Sequence, residues 1–403
     1  MANRPRSTAD PLTIVTDALD AAHLVRPHQL VELVIGAAER LGATAARVWL
    51  VDHSQRNLVH LTRSRRPRKP TPIDGSAAGR AYILGVEQER QRPRGDHHLW
   101  LPLVDGVDRI GVLELEHPNL TPSLRRAFRR LASVTAAEFV TRGQYTDDFT
   151  VLRRQKPMSL AAELQWQTLP PASFTVPEVS VAGMLEPAYE AAGDTFDYAY
   201  SEDVLDFAVF DSVGHDLASA VISNLAVGTY RNRRRSGDDL DVAGRRIDEV
   251  LLEQIGDGAF ATGILARLDT RSGSLGWLNG GHPPPLLVRQ GRRIVELDDR
   301  RRVPFGLGHL LDRNRTGLPH VQLEPGDAVL LYTDGIVEAR QADGEGFGLG
   351  RLEEFLGHAF AAQLSPAETV RRLSNAVLDH HGGTLQDDAS TLLVVWHPDG
   401  PPV

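Results

Sequence analysis

The sequence predicts a two-domain chain whose larger, C-terminal part is an α+β layered domain. Three observations carry this. The chain has 403 residues, more than one ordinary core holds. From Val179 onward, short apolar segments recur between turn residues: VSVAGMLEP, FDYAYSE, VLDFAVFD, GAFATGILARLD, SLGWLNGG, PPLLVRQG, RIVELDD, DAVLLYTDG and STLLVVWHP. Helical patterns stand apart from them, at residues 216–232, 241–256, 350–362 and 366–381. The last opens on a capping Ser365 and a first-turn Pro366, with Glu368 three residues after the cap. Many antiparallel strands with segregated helices describe an α+β layer architecture.

The N-terminal part reads differently. Residues 28–41 place Leu30, Val31, Val34, Ala37, Ala38 and Leu41 on one helical stripe. Residues 47–51 and 57–61 form a strand pair, and residues 63–70, RSRRPRKP, a basic loop. No aromatics interleave that loop, so it is a solvated segment rather than a nucleic-acid patch. Residues 74–85 lead into a short helix, and residues 99–104 and 110–115 pair around Asp105-Gly106. Thr121-Pro122 then caps a helix reaching about residue 142. A further helix follows Pro157 and stops at Pro170-Pro171. It joins the two parts, and such a connector can transmit a signal or pair two subunits.

Composition narrows the function. The net charge is −9, so no overall basic field draws the chain to nucleic acid. The absence of cysteine removes disulfides, thiolate metal sites and thiol catalysis. No apolar signal core opens the chain and no stretch approaches membrane-spanning length, which points to a cytoplasmic protein with no membrane partner. The only lysines, Lys69 and Lys156, sit in neither a phosphate-binding glycine loop nor a kinase-type strand.

The chemistry concentrates in acids beside apolar strands. In FAVFDSVGHDLASAV, Asp211 ends a strand, Gly214 permits a sharp turn, and His215 and Asp216 precede a helix. A carboxylate there, with nearby backbone carbonyls, can hold a cation. The same pattern recurs at Asp194 and Asp197 in AAGDTFDYA, at Thr333-Asp334-Gly335 after DAVLLY, and at Asp387 and Asp388 before STLLVVW. A single turn aspartate usually caps local amides. Several in one domain argue for a shared site. Hard oxygen donors without cysteine select Mg²⁺ or Mn²⁺ over zinc, and two such ions suit phosphoester hydrolysis. His215 is a candidate proton donor to the leaving group, whereas His282, in NGGHPPP, reads as a loop brace.

Two family resemblances follow from these motifs. DGSAAGRAY and RIGVLEL, in the element order of residues 15–142, resemble a GAF domain. That implies an α/β sensor for an unnamed small-molecule or protein signal. Residues 143–172 then form a helical linker, and residues 173–398 the second domain. The ordered set AGDTFD, FDSVGHDLASA, GAFATGILARLDTRSGSLGWLNGGHPPPLLV, VPFGLG, LEPGDAVLLYTDGIVEA, FG-x-x-RL and DD-x-S resembles the metal-dependent protein phosphatases (PPM), in their bacterial SpoIIE-like branch. AAELQWQTLPP is similar to the helix that leads into such domains.

The second resemblance implies a four-layer α-β-β-α sandwich of two antiparallel sheets, with two Mn²⁺ or Mg²⁺ ions at one edge. By motif match, Asp211 bridges both ions. Asp334 and Asp387 complete one site, and Asp194 with the backbone carbonyl of Ser212 serves the other. Asp388 is a supporting residue or an alternative ligand. The implied activity is protein serine/threonine phosphatase, acting on a phosphorylated regulator of anti-anti-sigma type under control of the sensor. A fold that only binds a phosphoprotein is the alternative. The sequence departs from the family pattern at Ala192, Thr195 and Asp216, which touches loop shape and leaves every expected ligand acid in place.

Overall fold

The structure is a computed structural model that describes residues 10–61, 69–91, 95–190, 193–214, 216–291, 293–298, 301–310, 317–339, 346–382, 385, 387–398 and 400. The chain divides into two compact units, Met1–Pro157 and Met158–Val403. Most of the expected basic loop (residues 63–68), Ala192 and His215 lie outside the described residues.

The first unit contains α1 (Pro11–Ala22), α2 (Leu30–Arg40), β1 (Ala45–Val51), β2 (Asn57–His60), β3 (Thr71–Pro72), α3 (Ala77–Leu84), β4 (Gln88–Gln91), β5 (His97–Asp105), β6 (Asp108–His117), α4 (Pro122–Gly143) and α5 (Asp148–Arg153). Its strands make one sheet in the order β3-β2-β1-β6-β5-β4. Strand alternation sends Leu113 and Leu115 to a core with α1, α2 and α4, and Val112 to the other face, where Tyr82 and Trp100 pack beside α3. On that second face Glu114 accepts from Trp49 Nε1 at 2.7 Å and Arg47 Nη1 at 3.1 Å, with His98 Nε2 at 2.7 Å. α1, β3, β4 and α5 go beyond the elements read from sequence. The three strand and helix pieces among them after α1 are six residues or shorter, too short for periodicity to register.

The second unit contains α6 (Leu160–Thr168), β7 (Ser173–Val176), β8 (Val179–Glu186), β9 (Asp194–Ser201), β10 (Val204–Ser212), α7 (Leu217–Arg235), α8 (Leu240–Gln254), β11 (Ala261–Asp269), β12 (Ser274–Gly280), β13 (Leu286–Arg289), β14 (Arg293–Glu296), β15 (His320–Gln322), β16 (Ala328–Tyr332), α9 (Asp334–Glu338), α10 (Gly348–Ala361), α11 (Pro366–His380) and β17 (Ala389–Trp396). Two antiparallel sheets form, in the orders β15-β12-β11-β10-β9 and β14-β13-β16-β17-β8-β7.

Alternation along the strands builds the layers. Phe207, Val209, Ile264, Leu331, Leu392 and Val394 fill the space between the sheets. Ala208, Phe210 and Leu265 face outward against Tyr230 and Ile247 of α7 and α8. Leu330 and Leu393 face the other way, against Leu352 and Leu356 of α10 and Val370 and Leu373 of α11. Burial of each large apolar side chain stabilises the fold by about 1.5–3 kcal/mol. The result is the four-layer α-β-β-α sandwich.

Local chemistry sets the helix starts. Asp216 caps α7, its Oδ1 accepting from Ala218 N at 2.9 Å and Ser219 N at 3.2 Å. Ser365 caps α11 through Glu368 N at 3.3 Å, with Pro366 in the first turn. The expected linker divides between the units: Phe149 of α5 packs on Phe139, and α6 lies against α7 through Ala161 and Ala220. Among the described residues no helix is long and apolar enough to cross a membrane.

Candidate metal centre

Four chain segments meet at one end of the paired sheets. Asp194 opens β9 and stands directly opposite Asp211 near the end of β10, with Thr262 of β11 on the other side of Asp211. Directly opposed residues in an antiparallel pair share a face, so both carboxylates point the same way. Asp334 follows β16, and Asp387 and Asp388 precede β17.

Asp194 is 2% exposed and is held on every side. Its amide at 3.3 Å and that of Gly193 at 2.6 Å donate to Asp388 Oδ2. Gln165 Nε2 of α6 donates to its carbonyl at 2.5 Å. Thr333 Oγ1 donates to its Oδ2 at 2.5 Å. Asp387 is exposed, and its Oδ1 accepts from the Asp388 amide at 2.9 Å.

Two glycines allow the convergence. A Cβ on Gly193 would lie 2.7 Å from the Ser212 carbonyl oxygen, and one on Gly335 would lie 1.8 Å from the Asp388 carbonyl oxygen. The Gly193 carbonyl accepts from Ser212 N and Ser212 Oγ, both at 3.2 Å, and from Ser223 Oγ of α7. Ser212 is thereby fixed in the corner that exposes its carbonyl to the Gly193 turn.

The electrostatics are one-sided. Burial, then Asp334, Asp387 and Asp388, push the Asp211 carboxyl up to about 7. Burial, then Asp211 and Asp388, push Asp194 well above the usual carboxylate range, with the Thr333 hydroxyl opposing and Asp334 adding to the rise. Burial, then Glu338 and Asp387, raise Asp334. No cation figures among the principal influences on any of the three. A cluster of like charges with no cation of the described residues among its principal influences suits a bound cation.

The donor set is all oxygen, which fits Mg²⁺ or Mn²⁺. Among the described residues no three His, Asp or Glu side chains enclose a single ion by themselves. Mg²⁺ commonly keeps several waters and takes one or two carboxylates, so these acids and the Ser212 carbonyl fit ions whose shells water completes.

The sequence singles out the acids and the brace His282, but not two residues that hold the acids in place. Thr333 appeared only as a neighbour of Asp334, and Gln165 only as part of a helix. His282 joins the sheets. Its Nδ1 lies 2.7 Å from Thr262 Oγ1, its Nε2 3.0 Å from the Tyr332 carbonyl. The carbonyl only accepts, so Nε2 carries the proton and Nδ1 accepts from the threonine. Burial drives the His282 ring down to about 3, so it is neutral and acts as a brace between β11 and the strand leading to Asp334. Asp216, where the family pattern has glycine, serves as the cap of α7.

Fold and site together define a class: an α-β-β-α sandwich with an uncompensated acid cluster where its two sheets end. Comparison with known proteins agrees with it. Residues 201–397 match the family described as Stage II sporulation protein E (SpoIIE). This match supports a SpoIIE-type domain in that part of the chain. Protein IcfG of Synechocystis sp. is 21% identical over 396 residues, covering 91% of this chain and 54% of its own. The chain thus spans about half the length of that relative.

Among solved structures, the RsbU and RsbW domains of Rv1364c from Mycobacterium tuberculosis align with 28% identity and a TM-score of 0.46, over 57% of this chain and 64% of that one. The PP2C phosphatase domain with a regulatory fragment of SpoIIE from Bacillus subtilis aligns with 14% identity and a TM-score of 0.46, over 97% and 96%.

Proposed function

We propose that the chain is a metal-dependent protein serine/threonine phosphatase that hydrolyses phosphoserine or phosphothreonine on a regulatory protein of anti-anti-sigma type. The observation that carries this is the convergence of Asp194, Asp211, Asp334, Asp387 and Asp388, with no cation of the described residues among the principal influences on Asp194, Asp211 and Asp334; all but Asp194 lie within the residues matching the SpoIIE family.

In this reading two Mn²⁺ or Mg²⁺ ions would be held by this set: Asp211 would be shared between them, Asp194 and the Ser212 carbonyl would serve one, and Asp334 and Asp387 the other. Bound there, the ions would offset phosphoryl charge and supply a nucleophilic water at neutral pH. The chain's own residues orient the donors: Asp388 through the Gly193 and Asp194 amides, Gly335 by permitting the close approach of the Asp388 carbonyl. His215, as a proton donor to the leaving group, belongs to the same reading. The first unit acts as a GAF-like sensor of a small-molecule or protein signal, and the connector helices α5 and α6 carry its state or pair two subunits. The setting is cytoplasmic.

The test is hydrolysis of p-nitrophenyl phosphate by the full chain with Mn²⁺, with Mg²⁺ and with EDTA, repeated on residues 158–403. Turnover that requires the divalent ion supports the phosphatase. Turnover gained only in the shorter chain adds inhibition by the first unit. Silence of both, with retained binding of a phosphorylated regulator, would leave the phosphoprotein-binding fold instead.

A further inference from the structure

Thr333 belongs to none of the expected ligand positions, yet its hydroxyl contacts the Asp194 carboxylate. It is wholly buried at the end of β16. Its backbone amide donates to the Ser390 carbonyl at 3.1 Å, so it extends the β16–β17 ladder by one residue. Its Oγ1 accepts from the Ser390 amide at 2.8 Å. That fixes the direction of the hydroxyl proton. An amide can only donate, so the single O–H proton is free to go to Asp194 Oδ2, 2.5 Å away. A β-branched side chain in a strand setting has few χ1 alternatives, which makes the hydroxyl a fixed post.

The backbone of Asp194 is already pinned, by Asp388 at its amide and Gln165 at its carbonyl. The remaining freedom is rotation of the carboxylate about its own side-chain bonds. The Thr333 contact removes it. The hydroxyl takes one of the acceptor positions of Oδ2 and fixes the plane in which the others lie, and Asp211 stands opposite across the β9–β10 pair.

We infer that Thr333 is a positioning residue for the metal centre: its hydroxyl, oriented by the Ser390 amide, sets the rotation of the Asp194 carboxylate and thereby the affinity for the ion that Asp194 holds. This rests on the metal reading proposed above. Groups that orient a ligand side chain through a hydrogen bond change metal affinity by about 10–100-fold when removed.

The experiment is calorimetric titration of the metal-free full chain with Mn²⁺, for the wild type, Thr333→Val, Thr333→Ala and Thr333→Ser, each checked for folding by circular dichroism. Thr333→Val keeps the shape and removes the proton. Thr333→Ala removes the same acceptor but leaves room for a water to take it, and keeps the proposal testable if valine fails to fold. The expected result is a Kd for Mn²⁺ raised roughly 10–100-fold in Thr333→Val and Thr333→Ala, and within about threefold of wild type in Thr333→Ser. Loss of thermal stability with an unchanged Kd in a folded Thr333→Val or Thr333→Ala protein would overturn the positioning role. So would a serine variant as weak as valine. If the wild type itself takes up no Mn²⁺, the metal reading of the site falls first, and the two failures are told apart by that titration alone.

Discussion

Asp194 and Asp197 lie three residues apart on β9, 2% and 1% exposed, and the fold treats them in opposite ways. Asp197 receives Arg231 at 2.7 Å and Arg234 at 2.8 Å, both from α7. Among the described residues no cation is a principal influence on Asp194; its charged neighbours are Asp211, Asp388 and Asp334. The same contrast runs along β10. Asp206, toward its start, pairs with Arg267 at 2.8 Å on the adjoining strand. Asp211, toward its end, faces three further carboxylates. One end of the strand pair therefore neutralises its buried acids from within the chain. The other end leaves its acids charged against one another, at a cost to stability that a structural role would not require. Burial alone does not separate the two ends. The presence or absence of an internal counter-charge does.

The strongest test of this comparison is Asp211→Asn. If the site end is reserved for cations, the substitution lowers metal-dependent turnover of p-nitrophenyl phosphate by roughly 10²–10³-fold or more. It also raises the stability of the metal-free protein above pH 7 by ~1–3 kcal/mol, because a carboxylate pushed to about 7 no longer has to ionise. Melting curves in EDTA read the second effect. A fall in melting temperature would place Asp211 with the structural acids and erase the distinction.

The opposite sign belongs to Asp197→Ala. It leaves two guanidinium groups without their buried partner and costs about 3 kcal/mol in urea unfolding. A neutral result would mean that Arg231 and Arg234 are held by solvent rather than by Asp197.

His282 gives a smaller effect that depends on pH. Its folded value, about 3, lies below the ordinary value of 6.5. The unfolded chain therefore binds a proton that the folded chain refuses. The contribution is fully present above about 6.5 and is lost as pH falls from there toward 3. Between pH 7.5 and 5 the wild type should lose about 2 kcal/mol more than His282→Gln. Parallel urea midpoints for the two proteins would show no gap if the ring is protonated in the fold. The smallest expected change, about 1 kcal/mol, comes from Ser365→Ala at the cap of α11. Turnover should stay unchanged, because that cap supports an outer layer and touches none of the acids.

Much of this was legible in the residues. The helix over 366–381 announces itself by Ser365, Pro366 and Glu368, and is found at Pro366–His380. The apolar run before Asp211 forms a strand with a buried interior, as its composition requires. Short edge strands such as β15, three residues long, have too few positions for alternation to show. α9 turns Asp334 into the first residue of a short helix, although the sequence there reads only as a turn. His215 lies outside the described residues.

The sequence by itself determined which acids stand beside apolar strands and where the chain must bend, because alternation, capping residues and glycine act over a few neighbouring positions. Only the tertiary structure decided that β10 pairs with β9 while β17 lies between β16 and β8 in the other sheet. That arrangement brings Asp388 to Gly193, across 195 positions of sequence, and Thr333 to Asp194 across 139. The physical reason is that a hydrogen bond between distant residues leaves no period in the sequence. Whether a buried aspartate meets an arginine or another aspartate is settled by which strands and helices come to lie side by side.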